Sequence, residues 1–267
     1  MKTIVYQSYR TVDVPQWITS CMETVKNWAA LKKFDYEFID DRLFEYVPDW
    51  YLKIVDGEMA LISDLARLEI AREFLREGYD RTIWVDADIV IFDPEKFDVE
   101  SSRSYAFCRE VWLAARANGR VTYATKVNNA VTVFTKDNTI LDTYINTCKA
   151  IVKHQGDSVH RLDISTSFLT AINQKWKCLP LLTNVGLFSP IVTYSIATGE
   201  ERYVELYINK FGYPIQAANL CSSYRNYSIT HDKILDDDIF LLAVNKLIAT
   251  KGNVVNNKLQ STSVASI

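Results

Sequence analysis

Apolar and polar positions along the chain predict a strand first, at Thr3 to Ser8 (TIVYQS), closed by polar residues. Pro15 suits the first position of a helix, and Trp17, Cys21, Val25, Trp28 and Lys32 mark one helical face down to about Phe34. Asp35 to Ile39 (DYEFI) alternates and predicts a second strand, so the chain opens with the strand, helix, strand order of an α/β unit with a parallel sheet. Asp40, Asp41 and Arg42 form a polar turn, and Pro48 starts a short helix within Val47 to Val55. A long helix follows from about Gly57 to Glu77, because Leu61, Leu65, Leu68, Arg72 and Leu75 keep the three-to-four spacing and Gly78 supplies a stop.

That helix feeds into TIWVDADIVIFDP, Thr82 to Pro94, where two apolar runs flank Asp86 and Asp88. Read as one buried strand, the segment sends both carboxylates to the same side, with Ala87 pointing away. An ionised carboxylate in an apolar setting costs several kcal/mol unless a cation or donor meets it, so a divalent metal is the leading candidate partner. Ser63, Asp64 and Arg67 lie close together on the preceding helix; an exposed ion pair between Asp64 and Arg67 is an equally good reading of their spacing.

Further along, Ser104 to Cys108 and Ala130 to Phe134 predict strands, with Trp112 to Gly119 irregular or a short helix. Asp137 to His154, Ser165 to Asn173 and Asp232 to Ala249 predict helices, and Cys178 to Leu182 and Val185 to Ser189 predict short extended pieces. Thr198 to Ser228 has weak periodicity and receives no assignment. Residues 1–250 are expected to form one domain. Residues 251–267 carry no helical stripe and are expected to be a flexible tail.

Composition narrows the picture. A chain of 267 residues with 48% hydrophobic content can build a large core. The net charge of −3 and pI near 5.7 argue against a nucleic-acid surface as the main business of the chain. Cys21, Cys108, Cys148, Cys178 and Cys221 show no CxxC spacing and read as reduced core residues, which with the lack of a signal-peptide pattern or an 18-residue apolar run makes a cytoplasmic location the expectation.

Three readings of the acid pair are open. Asp86 and Asp88 hold Mn²⁺ or Mg²⁺ against the diphosphate of a nucleotide-sugar, oxygen ligands with open positions suiting those hard cations. Alternatively Asp86 is the nucleophile of a haloacid-dehalogenase-like phosphatase, with Lys233 and Asp236, Asp237 and Asp238 as later partners, although some 85 residues precede the pair where such enzymes carry it on the first strand. In the third reading the acids cap a turn and are catalytically silent.

SDLARLEIAREFL followed by YDRTIWVDADIVIF resembles the pattern of GT-A glycosyltransferases with a DxD motif, most closely the sugar-binding region of glycosyltransferase family 32. The opening TIVYQSYRT is similar to the first strand of that group, with Tyr6 in the place of a histidine and Gln7 matching; the similarity covers roughly residues 3 to 135. The resemblance implies a GT-A type, Rossmann-like α/β/α sandwich around a mostly parallel sheet. It implies transfer of a sugar, with retention of configuration, from a nucleotide-sugar (a UDP-sugar in the simplest case) to a hydroxyl acceptor.

Carried over residue by residue, it implies that Asp86 contacts ribose or metal and that Asp88 binds metal and diphosphate. Asp64 and Arg67 hydrogen-bond the donor sugar, while Tyr6, Gln7 and Ser8 border the nucleoside and Asn128 and Asn129 lie near the sugar. Asp163 is a further candidate carboxylate or a helix cap, and His231 is the choice for a third metal ligand. A silent GT-A binding protein remains the other alternative. Trp112, Tyr194 and Tyr203 are candidates for an acceptor platform, with core packing as the default.

Overall fold

The structure, a computed structural model, describes residues 1–99, 103–116, 119–230 and 233–260. The opening unit forms as the alternation predicts: β1 (Thr3–Ser8), α1 (Gln16–Leu31) and β2 (Asp35–Ile39). After a short 3₁₀ turn come α2 (Asp49–Val55), α3 (Met59–Arg76) and β3 (Arg81–Val85). Gly78 ends α3 at φ +100°, with Tyr79 N–H donating to the Phe74 carbonyl at 3.1 Å, the closing bond of a Schellman motif that a side chain would strain.

Alternation decides which helix covers which face. Ile4, Tyr6 and Trp84 pack on one side of the sheet with α3, whereas Val5, Ile83 and Val85 pack on the other with Val25, Trp28 and Ala29 of α1. Helices on both faces make the α/β/α class read from the sequence. The rest of the large sheet comes from β5 (Tyr105–Ala115), β6 (Val121–Thr135) and β7 (Leu181–Leu182). Its strand order is β2-β1-β3-β6-β5-β7, with three parallel pairings (β1 with β2, β1 with β3, β5 with β7) and two antiparallel ones made by β6. The chain leaves β1 toward one side to make β2 and returns to the other side to make β3. The carboxyl ends of β1 and β3 therefore flank a topological switch point, the crevice where open α/β sheets bind ligands.

Helices α4 (Leu141–Gln155) and α5 (Thr166–Trp176) pack beside α3 and β6. A second sheet of three short strands, β4 (Ile89–Ile91), β8 (Val185–Leu187) and β9 (Ala217–Asn219), runs in the order β4-β9-β8. It builds a second core with α1, α6 (Pro190–Thr198), α7 (Glu201–Phe211), and, after the hairpin β10 (Tyr227–Thr230) and β11 (Lys233–Leu235), with α8 (Asp237–Ala249).

Three expectations are corrected, and one unassigned stretch gains its elements. The two apolar runs around the acids are not one strand: β3 ends at Val85, the chain turns with Ile89 N–H donating to the Asp86 carbonyl at 3.1 Å, and β4 joins the second sheet. Trp112 to Ala115 is neither irregular nor helical, because β5 runs on to Ala115 against β6. The unassigned stretch from Thr198 to Ser228 holds α7 and β9, and α6 precedes it. The chain beyond Lys251 is folded where it is described: α9 (Asn253–Asn256) buries Val255 completely, and Gly252, at φ +75°, lies so close to Phe92 that a Cβ there would run into the ring. Residues 261–267 lie outside the described residues. Cys21, Cys108, Cys148 and Cys221 are buried free thiols, and Cys178 is a half-buried one. Among the described residues no helix is long and apolar enough to cross a membrane.

Candidate functional site

A two-lobed cleft opens at the switch point. Its inner lobe, about 370 Å³, and its outer lobe, about 730 Å³, meet at a waist where Asp86 and Asp88 line both. Ser8 at the end of β1 and Asp86 just after β3 put the waist where the sheet topology places it.

The turn that carries the two acids is held from both sides. Asp86 N–H donates to the Ala130 carbonyl at 2.8 Å, extending the β3–β6 ladder by one step. Asp88 is fixed by the second sheet, because Ile89 sits opposite Asn219 and the Asn219 side-chain amide donates to Asp88 Oδ1 at 2.7 Å and to Asp86 Oδ2 at 3.5 Å. One amide thus ties the carboxylates together. Asn219 Oδ1 accepts from Cys221 N–H at 2.7 Å, folding an Asx turn in which Cys221 adopts φ +57° and Ser222 N–H reaches Asp88 Oδ2 at 2.7 Å.

Arg67 is the hub on the other side, and only 6% of it is exposed. Its Nε–H donates to the Ser63 carbonyl at 3.1 Å and Nη2 donates to Ser63 Oγ at 3.2 Å. Nη1 donates to the Asn129 carbonyl at 3.0 Å. Ion pairs run from Nη1 to Asp86 Oδ1 at 3.0 Å and from Nη2 to Asp64 Oδ1 at 3.2 Å. The guanidinium also lies 4.7 Å from the Trp84 ring, whose indole N–H donates to Asp86 Oδ1 at 2.6 Å. Asp64 and Arg67 are therefore a buried pair rather than an exposed one. Its hydrogen bonds are what make such burial tolerable.

Burial pushes the Asp86 carboxyl up to about 7 against the opposing Arg67 charge, and the Asp88 charge adds to the rise. The Asp86 side chain is a quarter exposed to the cleft, so solvent there relieves part of this effect. Asp88 is likewise raised by burial and held back by its Ser222 hydrogen bond.

Asn128 and Asn129 both line the inner lobe, which two consecutive residues of a regular strand cannot do. The cause is a bulge: Ala106 faces Val133 but Cys108 faces Asn128, two steps along β5 against five along β6. Asn129 Nδ2 donates to Asp64 Oδ1 at 2.8 Å, and Asn128 Nδ2 donates to Glu110 Oε2 at 3.3 Å. Glu110 is itself buried, and that burial raises its carboxyl while Lys126 and Asn128 act against the rise.

The structure brings together Asp64, Arg67, Asp86, Asp88, Asn128 and Asn129, with Ser8 on the outer lobe. Three expectations fare differently. Tyr6 is packed in the core against Trp84, its hydroxyl donating to the Arg67 carbonyl at 2.6 Å, so it supports the hub from beneath. Gln7 is buried, with Nε2 donating to the Asp86 carbonyl at 3.3 Å and Oε1 accepting from Tyr36 at 3.1 Å, and it too lines neither lobe. Asp163 stands outside both lobes, and its carboxylate accepts from His160 N–H at 2.9 Å to close a turn. It is not the cap of α5, which is Ser165.

His231 lies outside the described residues. Among the described residues no group of three or more His, Cys, Asp or Glu side chains is arranged to hold a metal ion. Trp112 reaches the inner lobe, 5.2 Å from Tyr224, whereas Tyr194 and Tyr203 pack against the second core.

The sequence reading missed Asn219, Ser222, Glu110 and Arg161. Asn219 sits in a three-residue strand too short for any period, and Arg161 lies in a loop between two helices where no periodicity marks it. Lys233 and Asp236 to Asp238, the partners a phosphatase would need, are engaged elsewhere or absent from the cleft. Lys233 pairs with Glu200 at 3.0 Å, Asp236 caps α8, Asp237 holds Arg225, and none of the four lines either lobe.

No protein-family model and no curated protein matches the chain. Solved structures do resemble it at low identity. One is a glycosyltransferase involved in glycosylation of the major capsid of PBCV-1, with 9% identity over 83% of this chain and 94% of that one, TM-score 0.46. A second is mouse xyloside xylosyltransferase 1 in its apo form, with 11% identity over 84% and 99%, TM-score 0.43. A third is the glycosyltransferase GlyE of Streptococcus pneumoniae TIGR4, with 11% identity over 98% and 66%, TM-score 0.41.

Proposed function

We propose that the chain is a glycosyltransferase that moves a sugar from a nucleotide-sugar, with a UDP-sugar as the first donor to test, to a hydroxyl acceptor. The observation that carries this reading is the waist: two amide-bridged carboxylates, Asp86 and Asp88, between a large lobe and a smaller polar one. The outer lobe, lined by Ser8, Tyr9, Leu43 and Phe44, has the mixed polar and apolar wall that suits a nucleoside. The inner lobe, with Asp64, Asn128, Asn129 and Glu110, offers the hydrogen-bonding groups that suit sugar hydroxyls.

The donor set fits Mn²⁺ or Mg²⁺. Asp64, Asp86 and Asp88 outnumber the cations that line both lobes, the buried Arg67 and the exposed Arg161, so negative charge is in excess at the waist. Hard oxygen ligands meet that need, and such cations are commonly held by one or two carboxylates with water and substrate phosphate completing the shell. Asp86 and Asp88 would hold the ion, and its chemistry there would be neutralisation of the departing diphosphate.

The chain's own residues orient the reacting groups. Asp64 and Asn129 fix the sugar, and Arg67 keeps Asp64 and Asp86 in place rather than reaching out itself, since it is buried and held by the protein. In keeping with the retention that the family resemblance implies, the acceptor oxygen would bond to the anomeric carbon on the face from which the diphosphate departs. The hydroxyl proton would pass to the leaving phosphate oxygen.

With Mn²⁺ present, UDP at about 100 times its Kd should stabilise the chain by about 2.7 kcal/mol, which raises Tm by roughly 5–10 °C for a chain of this size. Differential scanning fluorimetry with and without EDTA reads the shift. The absence of any shift with any nucleoside diphosphate would count against the proposal.

A further inference from the structure

We propose that Arg161, carried by the loop between α4 and α5, is the residue that binds the donor diphosphate at the waist; this rests on the nucleotide-sugar reading. Among the described residues only two cationic side chains line both lobes, Arg67 and Arg161. Arg67 is buried, and its guanidinium is held within the protein by hydrogen bonds to Ser63 and Asn129 and ion pairs to Asp64 and Asp86. Arg161 is the converse: it is exposed to the cleft, and among the described residues no hydrogen bond or ion pair engages its guanidinium. Its charge is felt by the Tyr224 phenol, which lines the inner lobe and which burial raises against it.

The other cations of the cleft are spent or confined to one lobe. Arg10 donates to the Asp13 carbonyl at 2.8 Å, and Arg225 grips Asp237 at 2.7 and 2.5 Å. Lys126 opens only into the inner lobe, opposite Glu110 across the β5–β6 ladder. A diphosphate that spans the waist beside Asp86 and Asp88 would gain charge as the sugar leaves. An unengaged guanidinium that reaches both lobes is suited to meet it with two parallel N–H donors.

The loop is built to present this side chain. Asp163 Oδ2 accepts from His160 N–H and Asp163 N–H donates to the His160 carbonyl, both at 2.9 Å, so the turn is pinned at its two ends. Between those ends lie Arg161 and Leu162, and both line the cleft. Asp163, expected from the sequence to act on the reacting groups, thus serves as a positioning residue for Arg161.

The test is calorimetric titration of the full chain with UDP and with UMP, each with Mn²⁺. Arg161→Ala should weaken UDP by about 10- to 100-fold, the size expected for loss of charged hydrogen bonds, while UMP changes far less; Arg161→Lys should restore part of the loss. Because no hydrogen bond or ion pair engages Arg161 among the described residues, Tm should stay close to the wild-type value. Equal UDP affinity in the wild type and Arg161→Ala would overturn the assignment while leaving the nucleotide-sugar reading intact. A wild-type chain that binds no nucleoside diphosphate would overturn that reading itself, and this assignment with it.

Discussion

Asp88→Asn is expected to lower sugar transfer by more than about 100-fold, since loss of partners that only support a metal ligand already costs about 10- to 100-fold. The replacement is close in shape. What it removes is a charge and one acceptor, because Asp88 Oδ1 takes the Asn219 amide and Oδ2 takes Ser222 N–H, and an asparagine can satisfy only one of these donors with its carbonyl. Stability should change far less than activity. Neutralising Asp88 relieves its repulsion with Asp86 across the shared Asn219, and this opposes the cost of the donor left unpaired, so Tm is expected to stay near the wild-type value as activity is lost. Wild-type transfer rates in Asp88→Asn, measured by nucleoside diphosphate release with Mn²⁺, would contradict a metal-binding role.

Arg67→Met should act on the fold instead. It keeps most of the volume but leaves Asp64 and Asp86 without their cation in a site where Arg67 and the Asp64 side chain are 6% and 7% exposed. Removing one partner of a buried pair costs about 3–5 kcal/mol, or a Tm drop on the order of 10 °C here. Thermal unfolding followed by circular dichroism checks this. A variant within about 2 °C of the wild type would mean that Arg67 does not organise the acids. The two variants therefore separate the roles at the waist, charge for the ligand at Asp88 and architecture at Arg67.

Much of the first half of this architecture is legible in the sequence because its elements are long and regular. The strand TIVYQS, the α1 stripe and the α3 stripe each span enough residues for a period to show, and they form where the pattern puts them. The acid pair was legible as chemistry but not as geometry. Two apolar runs interrupted by Asp86, Ala87 and Asp88 read as one strand, and only the pairing of Ile89 with Asn219 shows that they belong to two sheets.

The second half resists reading for the same physical reason. β4, β8 and β9 are three residues each, too short for any alternation to register. The resemblance places Asn128 and Asn129 near the sugar, yet what lets both line the inner lobe is a bulge between β5 and β6 that no local pattern announces. Asp163 shows the opposite error. A carboxylate near a helix start was weighed for catalysis, whereas it pins a turn, and the side chain that the turn presents is its neighbour Arg161.

The central claim is that the cleft releases a nucleoside diphosphate from a sugar donor with help from a divalent ion at Asp86 and Asp88. The measurement that tests it most directly is a screen of nucleotide-sugars for diphosphate release by the full chain, with Mn²⁺ and with EDTA. Release from at least one donor in Mn²⁺, abolished by EDTA, is the result predicted. Inertness toward every nucleotide-sugar, together with phosphate release from small phosphoesters, would contradict it.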